Sequence, residues 1–180
     1  MNLRTIGDRE SFAVQFELDE EYEGPWLFGK FCYWIGGIRV GDYELGTSLR
    51  DVYFGMKWLP HDCGNRGGGI LCNLTPEESF SALDGALYRD EVSPDTGHCE
   101  LPDSPARFNV SIPVDVFDKW KIYLIECECV ARMLFRNTED GVIRVTNLSQ
   151  GVFDSVIKEV HAYVERLYDR ETASQSRRES

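Results

Sequence analysis

Between Phe12 and Val40 the apolar residues recur with period two and the run is punctuated by adjacent glycines, which commits this part of the chain to antiparallel strands. Phe12, Val14, Phe16 and Leu18 alternate with Ala13, Gln15 and Glu17, the pattern of a half-buried strand. An acidic turn ending in Gly24-Pro25 follows. Residues 26–35 are rich in aromatics and carry Lys30 as their only charge, so they read as a central strand. Gly36-Gly37 is a tight hairpin signal that returns the chain through Ile38, Arg39 and Val40. The three segments make a meander. Trp26 and Trp34, eight residues apart on one strand, are expected to share a face and fill the core.

Helical periodicity then takes over. Leu49, Val52, Tyr53 and Met56 fall on one face, Thr47 or Ser48 is placed to cap the helix, and Pro60 is expected to stop it. After a glycine-rich loop at 64–69, Thr75, Pro76 and Glu78 spell a capping box with proline at the first helical position. Phe80, Leu83 and Leu87 are its buried stripe. Strands are expected again at 107–112. In residues 121–136 the side chains Tyr123, Ile125, Cys127, Cys129, Ala131, Met133 and Phe135 occupy one period-two face, opposite Glu126, Glu128, Arg132 and Arg136. The segment reads as one bent strand or as two strands meeting near Glu128. A turn at Glu139-Asp140-Gly141 precedes another strand, and a final helix over 150–169 buries Phe153, Ile157, Val160, Val164 and Leu167. The order predicts an α+β fold in a single domain over residues 1–170. Its largely antiparallel sheet has about six to seven strands, with about three helices packed on one face. Residues 171–180 are polar and read as a disordered tail.

The chain has 180 residues, 19 basic and 31 acidic, for a formal charge of −12. Eight basic and 19 acidic residues precede Ala106, whereas 11 and 12 follow, so the excess negative charge belongs to the first part. It peaks at Glu17, Asp19, Glu20, Glu21 and Glu23, and again at Asp84, Asp90, Glu91, Asp95, Glu100 and Asp103. Such a field argues against direct binding of nucleic acid or of an anionic membrane, and it steers a basic partner toward one side. The accessible groups beside it are expected to be Asp42 and Tyr43. No apolar run is long enough to span a bilayer, and residues 1–12 show no signal-peptide apolar region, so a cytoplasmic location is expected. Cys32, Cys127 and Cys129 lie in hydrophobic segments and read as small apolar core residues.

Catalytic inventory is thin. His61, Cys63, His98 and Cys99 offer composition for a small thiol- or metal-dependent hydrolase, and Cys72 extends that set toward a zinc site. The spacings lack the close pairs of structural zinc sites, however, and no nucleophile motif surrounds either cysteine. Residues 64–69 lack the phosphate-loop pattern. No catalytic residue, metal ligand or cofactor is therefore assigned, and the chain is expected not to be an enzyme.

One segment carries a resemblance. The run from Trp26 to Asp51, with Gly36-Gly37, Arg39, Gly41-Asp42-Tyr43 and Gly46-Thr47-Ser48-Leu49-Arg50-Asp51, resembles the bacterial immunity protein 42 family, as does the segment 150–154 before the last helix. That family is encoded beside polymorphic or contact-dependent growth-inhibition toxins. The resemblance implies a non-enzymatic antidote that binds the C-terminal domain of a cognate toxin in the cytosol, and basic nucleases are common among such toxins. An acidic inhibitor would compete with the phosphate backbone for a nuclease's groove. The residues expected to meet the toxin are Glu17, Asp19, Glu20, Glu21, Glu23, Asp42, Tyr43, Asp90, Glu91 and Asp95.

Overall fold

A computed structural model describes residues 3–22, 24–88 and 103–178, with side chains through Ser174. The fold is α+β, and its strands divide between two antiparallel sheets, of five and three strands, rather than forming one. The chain forms two compact units. The first comprises Met1–His61, Ile112–Lys119 and Val152–Ser180, the second Asp62–Ser111 and Trp120–Gly151.

In the first unit the strands are β1 (Arg4–Gly7), β2 (Phe12–Leu18), β3 (Phe28–Ile35), β4 (Ile38–Val40) and β5 (Thr47–Ser48). Their order is β1-β2-β3-β4, with β5 also paired to β3. The expected meander is β2-β3-β4. The register pairs Phe12 with Ile35, Val14 with Tyr33 and Phe16 with Phe31, which collects these rings on one face. Helix α4 (Val152–Arg178) covers that face: Phe153 packs on Phe12 at 4.8 Å between centroids and Tyr163 on Phe16 at 5.4 Å. The other face is covered too. Ala13 and Gln15 are buried, so β2 is not the half-buried strand that its alternation suggests. Trp34 lies on this second, polar face rather than in the apolar core. Its indole N–H donates to Gln15 Oε1 at 2.9 Å, and the Arg9 guanidinium stacks over its ring.

Helix α1 (Leu49–Gly55) starts on Ser48, whose hydroxyl accepts from the Asp51 N–H at 3.1 Å. It ends at Gly55, and Pro60 lies inside a separate one-turn helix, α2 (Trp58–His61), instead of terminating the first. Helix α4 buries Phe153, Ile157, Val160 and Val164, while Leu167 is half-buried. It continues to Arg178, past the point where polarity alone suggested a tail. No glycine or proline interrupts it, and the Thr172 and Ser174 hydroxyls donate back to carbonyls of the preceding turn.

In the second unit β6 (Trp120–Cys127), β7 (Val130–Asn137) and β8 (Ile143–Ser149) form an antiparallel sheet in that order. Residues 121–136 are thus two strands, joined by Glu128-Cys129 with Glu128 at φ 51°. That tight turn pairs Cys127 with Val130 and Tyr123 with Leu134. Odd-numbered residues of β6 therefore share a face with even-numbered residues of β7, and the single long face read from the sequence splits at the turn. Cys129 is exposed as a result. One face packs Tyr123, Ile125 and Leu134 with Phe80 and Leu83 of α3 (Pro76–Tyr88), together with Leu71 and Phe108. Residues 107–112 are not a strand: Phe108 ends a 3-10 turn, and Asn109 makes one bridge to Tyr123.

The α3 start forms as the sequence predicts. The Thr75 N–H donates to Glu78 Oε2 at 2.9 Å, and the Glu78 N–H donates to Thr75 Oγ1 at 3.2 Å. Asp84, counted above in the acidic excess, is buried and accepts from Tyr123 Oη at 3.2 Å and from Lys121. Cys127 is not a free core thiol. It is bridged to Cys72, whose Cα lies 5.7 Å away, and Gly68 makes room because a Cβ there would sit 2.8 Å from the Cys72 sulfur.

Three outcomes follow from this packing. Thr75→Ala should lower unfolding free energy by about 1 kcal/mol in denaturant titrations. Reduction of the Cys72–Cys127 bridge frees a loop with a sequence separation of 55, and should lower it by about 2–4 kcal/mol in the same assay. His161 packs on Tyr53, and burial pulls its pKa below 6.5, with Glu165 opposing and Lys57 reinforcing the shift. Below pH about 6.5 the unfolded chain takes up a proton that folded His161 resists, so its contribution to stability is lost as pH falls from there. His161→Gln should flatten that part of the stability–pH curve.

Candidate functional site

The peptide from Gly24 to Phe28 controls what the first unit shows to solvent. Gly24–Trp26 is a 3-10 turn, closed by the Leu27 N–H donating to the Gly24 carbonyl at 3.1 Å. Leu27 is fully buried and has φ 54°, a left-handed conformation that a bulky residue adopts only at a cost. Its carbonyl accepts from the Leu49 N–H at 3.0 Å, and the Trp26 carbonyl accepts from the Ser48 hydroxyl at 2.9 Å. With Leu27 fixed inward, its neighbours are turned outward. Trp26 is 45% exposed and Phe28 38% exposed, and their rings lie nearly parallel at 6.2 Å. The expectation that Trp26 fills the core therefore fails, because it precedes the strand and Leu27 takes the inward place. The Arg50 guanidinium covers Trp26 at 3.4 Å from the ring centroid while donating to Asp51 at 3.0 Å.

Phe28 also forms part of the wall of an open cleft of about 610 Å³. Asp19, Gly29, Leu45, Gly46, Asp51, Pro113 and Asp115 complete most of that wall. Asp19 is brought beside Phe28 by its own N–H, which donates to the Phe28 carbonyl at 3.0 Å. Gly29 allows β2 and β3 to close at this end, since a Cβ would lie 2.1 Å from the Glu17 carbonyl oxygen. Leu45 is 59% exposed, at the tip of the loop between β4 and β5. The Asp42 N–H anchors that loop to the Val116 carbonyl at 2.8 Å. Among the described residues the cleft wall contains three carboxylates and no lysine or arginine.

The residues anticipated as toxin contacts fall into three groups. Asp19, Glu20, Glu21 and Asp42 are exposed in the first unit, and Asp19 lines the cleft. Glu17 and Tyr43 are drawn inward on the polar face of the sheet. Tyr43 is 6% exposed and is corrected from an accessible group to a buried one. Its hydroxyl donates to Glu17 Oε2 at 3.2 Å, and Lys30 and Arg39 lie near its ring. Burial first, then the Glu17 carboxylate, raises its pKa, although Gln15 opposes the shift. Glu17 faces Lys30 across the strands, and Lys30 pairs with Glu44 at 2.8 Å. Glu23, Asp90, Glu91 and Asp95 lie outside the described residues.

Phe28, Leu45, Asp51 and Asp115, which line the cleft, and Trp26, which stacks on Phe28, are not among the residues anticipated from the sequence. A leucine between Glu44 and Gly46 was the one local signal available for Leu45. For the hydrolase alternative, His98 and Cys99 lie outside the described residues, His61 is exposed and Cys63 is half-buried. Cys72 is engaged in the disulfide, and among the described residues no group of three His, Cys, Asp or Glu side chains is placed to hold a metal ion. The buried Cys32 thiol is pushed up to about 12 by desolvation, against the opposing pull of Arg39 and Arg9, which suits a core residue and not a nucleophile.

The comparisons with known proteins bear on the same fold. No curated protein matches the sequence. The crystal structure of CdiI from Burkholderia dolosa is similar, with a TM-score of 0.67 over 89% of this chain and 99% of that one; at 20% identity the likeness is one of fold. The family model described as Immunity protein 42 matches residues 1–163. That match spans both sheets and the first part of α4, to residue 163, as well as the 26–51 segment on which the resemblance rested, so the chain belongs to the immunity protein 42 family and its role is toxin-neutralising immunity.

Proposed function

We propose that this immunity protein works in the cytosol and covers the cationic groove of a basic, nucleic-acid-cleaving toxin domain with the acidic surface of its first unit. The observation that carries the reading is the lopsided charge. The excess of acids lies before Ala106, and Asp19, Glu20, Glu21, Asp42, Asp51 and Asp115 are all exposed in one compact unit. A nuclease must present clustered Lys and Arg to hold phosphates, so a surface of this sign is complementary to it and suppresses wrong partners. The fold shared with CdiI supports membership of a contact-dependent growth-inhibition system, in which the cognate toxin is the C-terminal domain encoded beside this chain. Among the described residues no helix is long and apolar enough to cross a membrane.

The test is calorimetric titration of the adjacent toxin domain at about 50 mM and about 500 mM salt. Affinity should fall at least about tenfold across that range, because the Debye length that screens exposed pairs shrinks from more than about 10 Å to between about 3 and 8 Å. Reversing Glu20, Glu21 and Asp42 to Lys together should slow association about tenfold with a smaller effect on dissociation. Tight binding that ignores salt and the triple reversal would move the interface away from the acidic surface.

A further inference from the structure

We infer that the cleft beside Trp26 is the socket for one arginine side chain of the toxin domain, an inference that rests on the toxin-binding reading above. The guanidinium is held by the carboxylates of Asp19 and Asp115, and its stem lies along Phe28 and Leu45. Three observations select that occupant.

The first is sign. Of the three carboxylates in the wall, Asp51 is engaged by Arg50, whereas the side chains of Asp19 and Asp115 have no hydrogen-bond or ion-pair partner among the described residues. The second is the apolar part of the same wall. Phe28 and Leu45 are large, apolar and exposed, so an occupant gains by laying hydrocarbon or a weakly hydrated plane against them. Lysine satisfies the charge, but its compact and strongly hydrated ammonium does not use the ring. Arginine satisfies both, since its plane stacks on an aromatic face while its edge donates to carboxylates.

The third observation is that the chain already builds this arrangement next door. Arg50 lies over Trp26 and donates to Asp51, so one ring of the stacked pair carries a guanidinium with its carboxylate partner. The second ring, Phe28, lines the cleft together with Asp19 and Asp115, and among the described residues that wall contains no arginine. A toxin arginine completes the pattern. The positions are held by backbone bonds: Asp19 to Phe28, the Leu45-bearing loop to Val116, and Leu27 to Leu49. The socket is thereby formed before binding, which limits the ordering cost of association.

The experiment compares two isosteric double variants of the full chain, each losing two exposed charges, in titrations with the adjacent toxin domain. D19N/D115N alters the cleft, whereas E77Q/E128Q alters exposed acids of the second unit. The cleft variant should bind about 30-fold more weakly and the control less than about threefold more weakly. Leu45→Ser should weaken binding about tenfold while leaving the salt slope unchanged. Replacing toxin arginines singly with lysine should find one whose loss is not additive with D19N/D115N, as expected for groups in direct contact. If the wild type binds but the cleft variant matches the control, or no toxin arginine couples to it, the socket is overturned and immunity stands. If the wild type does not bind, the socket and the toxin assignment fall together.

Discussion

Leu27 enters the core of the first unit by adopting a left-handed backbone, and the chain on either side inherits the consequence. A residue of that size at φ 54° costs on the order of 1–3 kcal/mol. It persists because its N–H, its carbonyl and the preceding carbonyl are all fixed by hydrogen bonds, and because its side chain has no exposure at all. In a regular strand an inward residue is flanked by residues pointing to the opposite face, where a second layer can cover them. Here the flanking rings stay at the surface, parallel to each other. Local strain thus holds in place an aromatic pair that hydrophobicity alone would withdraw.

The features legible in the sequence are those that a few adjacent residues decide by themselves. Thr75, Pro76 and Glu78 fix the start of α3 through hydrogen bonds spanning three residues, and Gly36-Gly37 turns the hairpin without help from elsewhere. The apolar stripe of α4 is equally local. What escaped depends on distant partners or on a single dihedral. The face of residues 129–135 switches because Glu128-Cys129 turns in two residues, a choice that no periodicity records. β1 and β5 are short strands whose pairing comes from β2 and β3, not from their own composition. Cys127 meets Cys72 only because Gly68 leaves the space for their sulfurs.

Charge was legible as a total and not as a surface. Glu17 and Asp84 contribute to the acidic excess of the first 105 residues, yet Glu17 accepts from Tyr43 and Asp84 is buried against Lys121, Tyr123 and Arg136. Such carboxylates are already compensated and add little to the field that a partner meets at close range. Asp19 and Asp115 differ from them in having no counter-ion among the described residues. They are far apart in sequence, so a search for runs of acids finds the cluster containing Asp19 and passes over Asp115. The cleft exists because the segment Ile112–Lys119 belongs with the first unit, as the bond from Asp42 to Val116 shows.

An acidic field and an aromatic-walled cleft answer different demands on an antidote. The field acts over a Debye length, raises the rate of encounter, and serves any cationic partner equally well. An immunity protein limited to it would bind fast and discriminate poorly. Discrimination requires groups whose loss is felt only when one partner is seated, and those are large apolar side chains beside charges desolvated on contact. Trp26, Phe28 and Leu45 supply the first kind, and Asp19 and Asp115 supply the second. Because the backbone around them is held by separate bonds, Asp19 to Phe28, Asp42 to Val116 and Leu49 to Leu27, change in the contact side chains can retune partner choice without rebuilding the sheet, while the surrounding acids continue to speed the encounter.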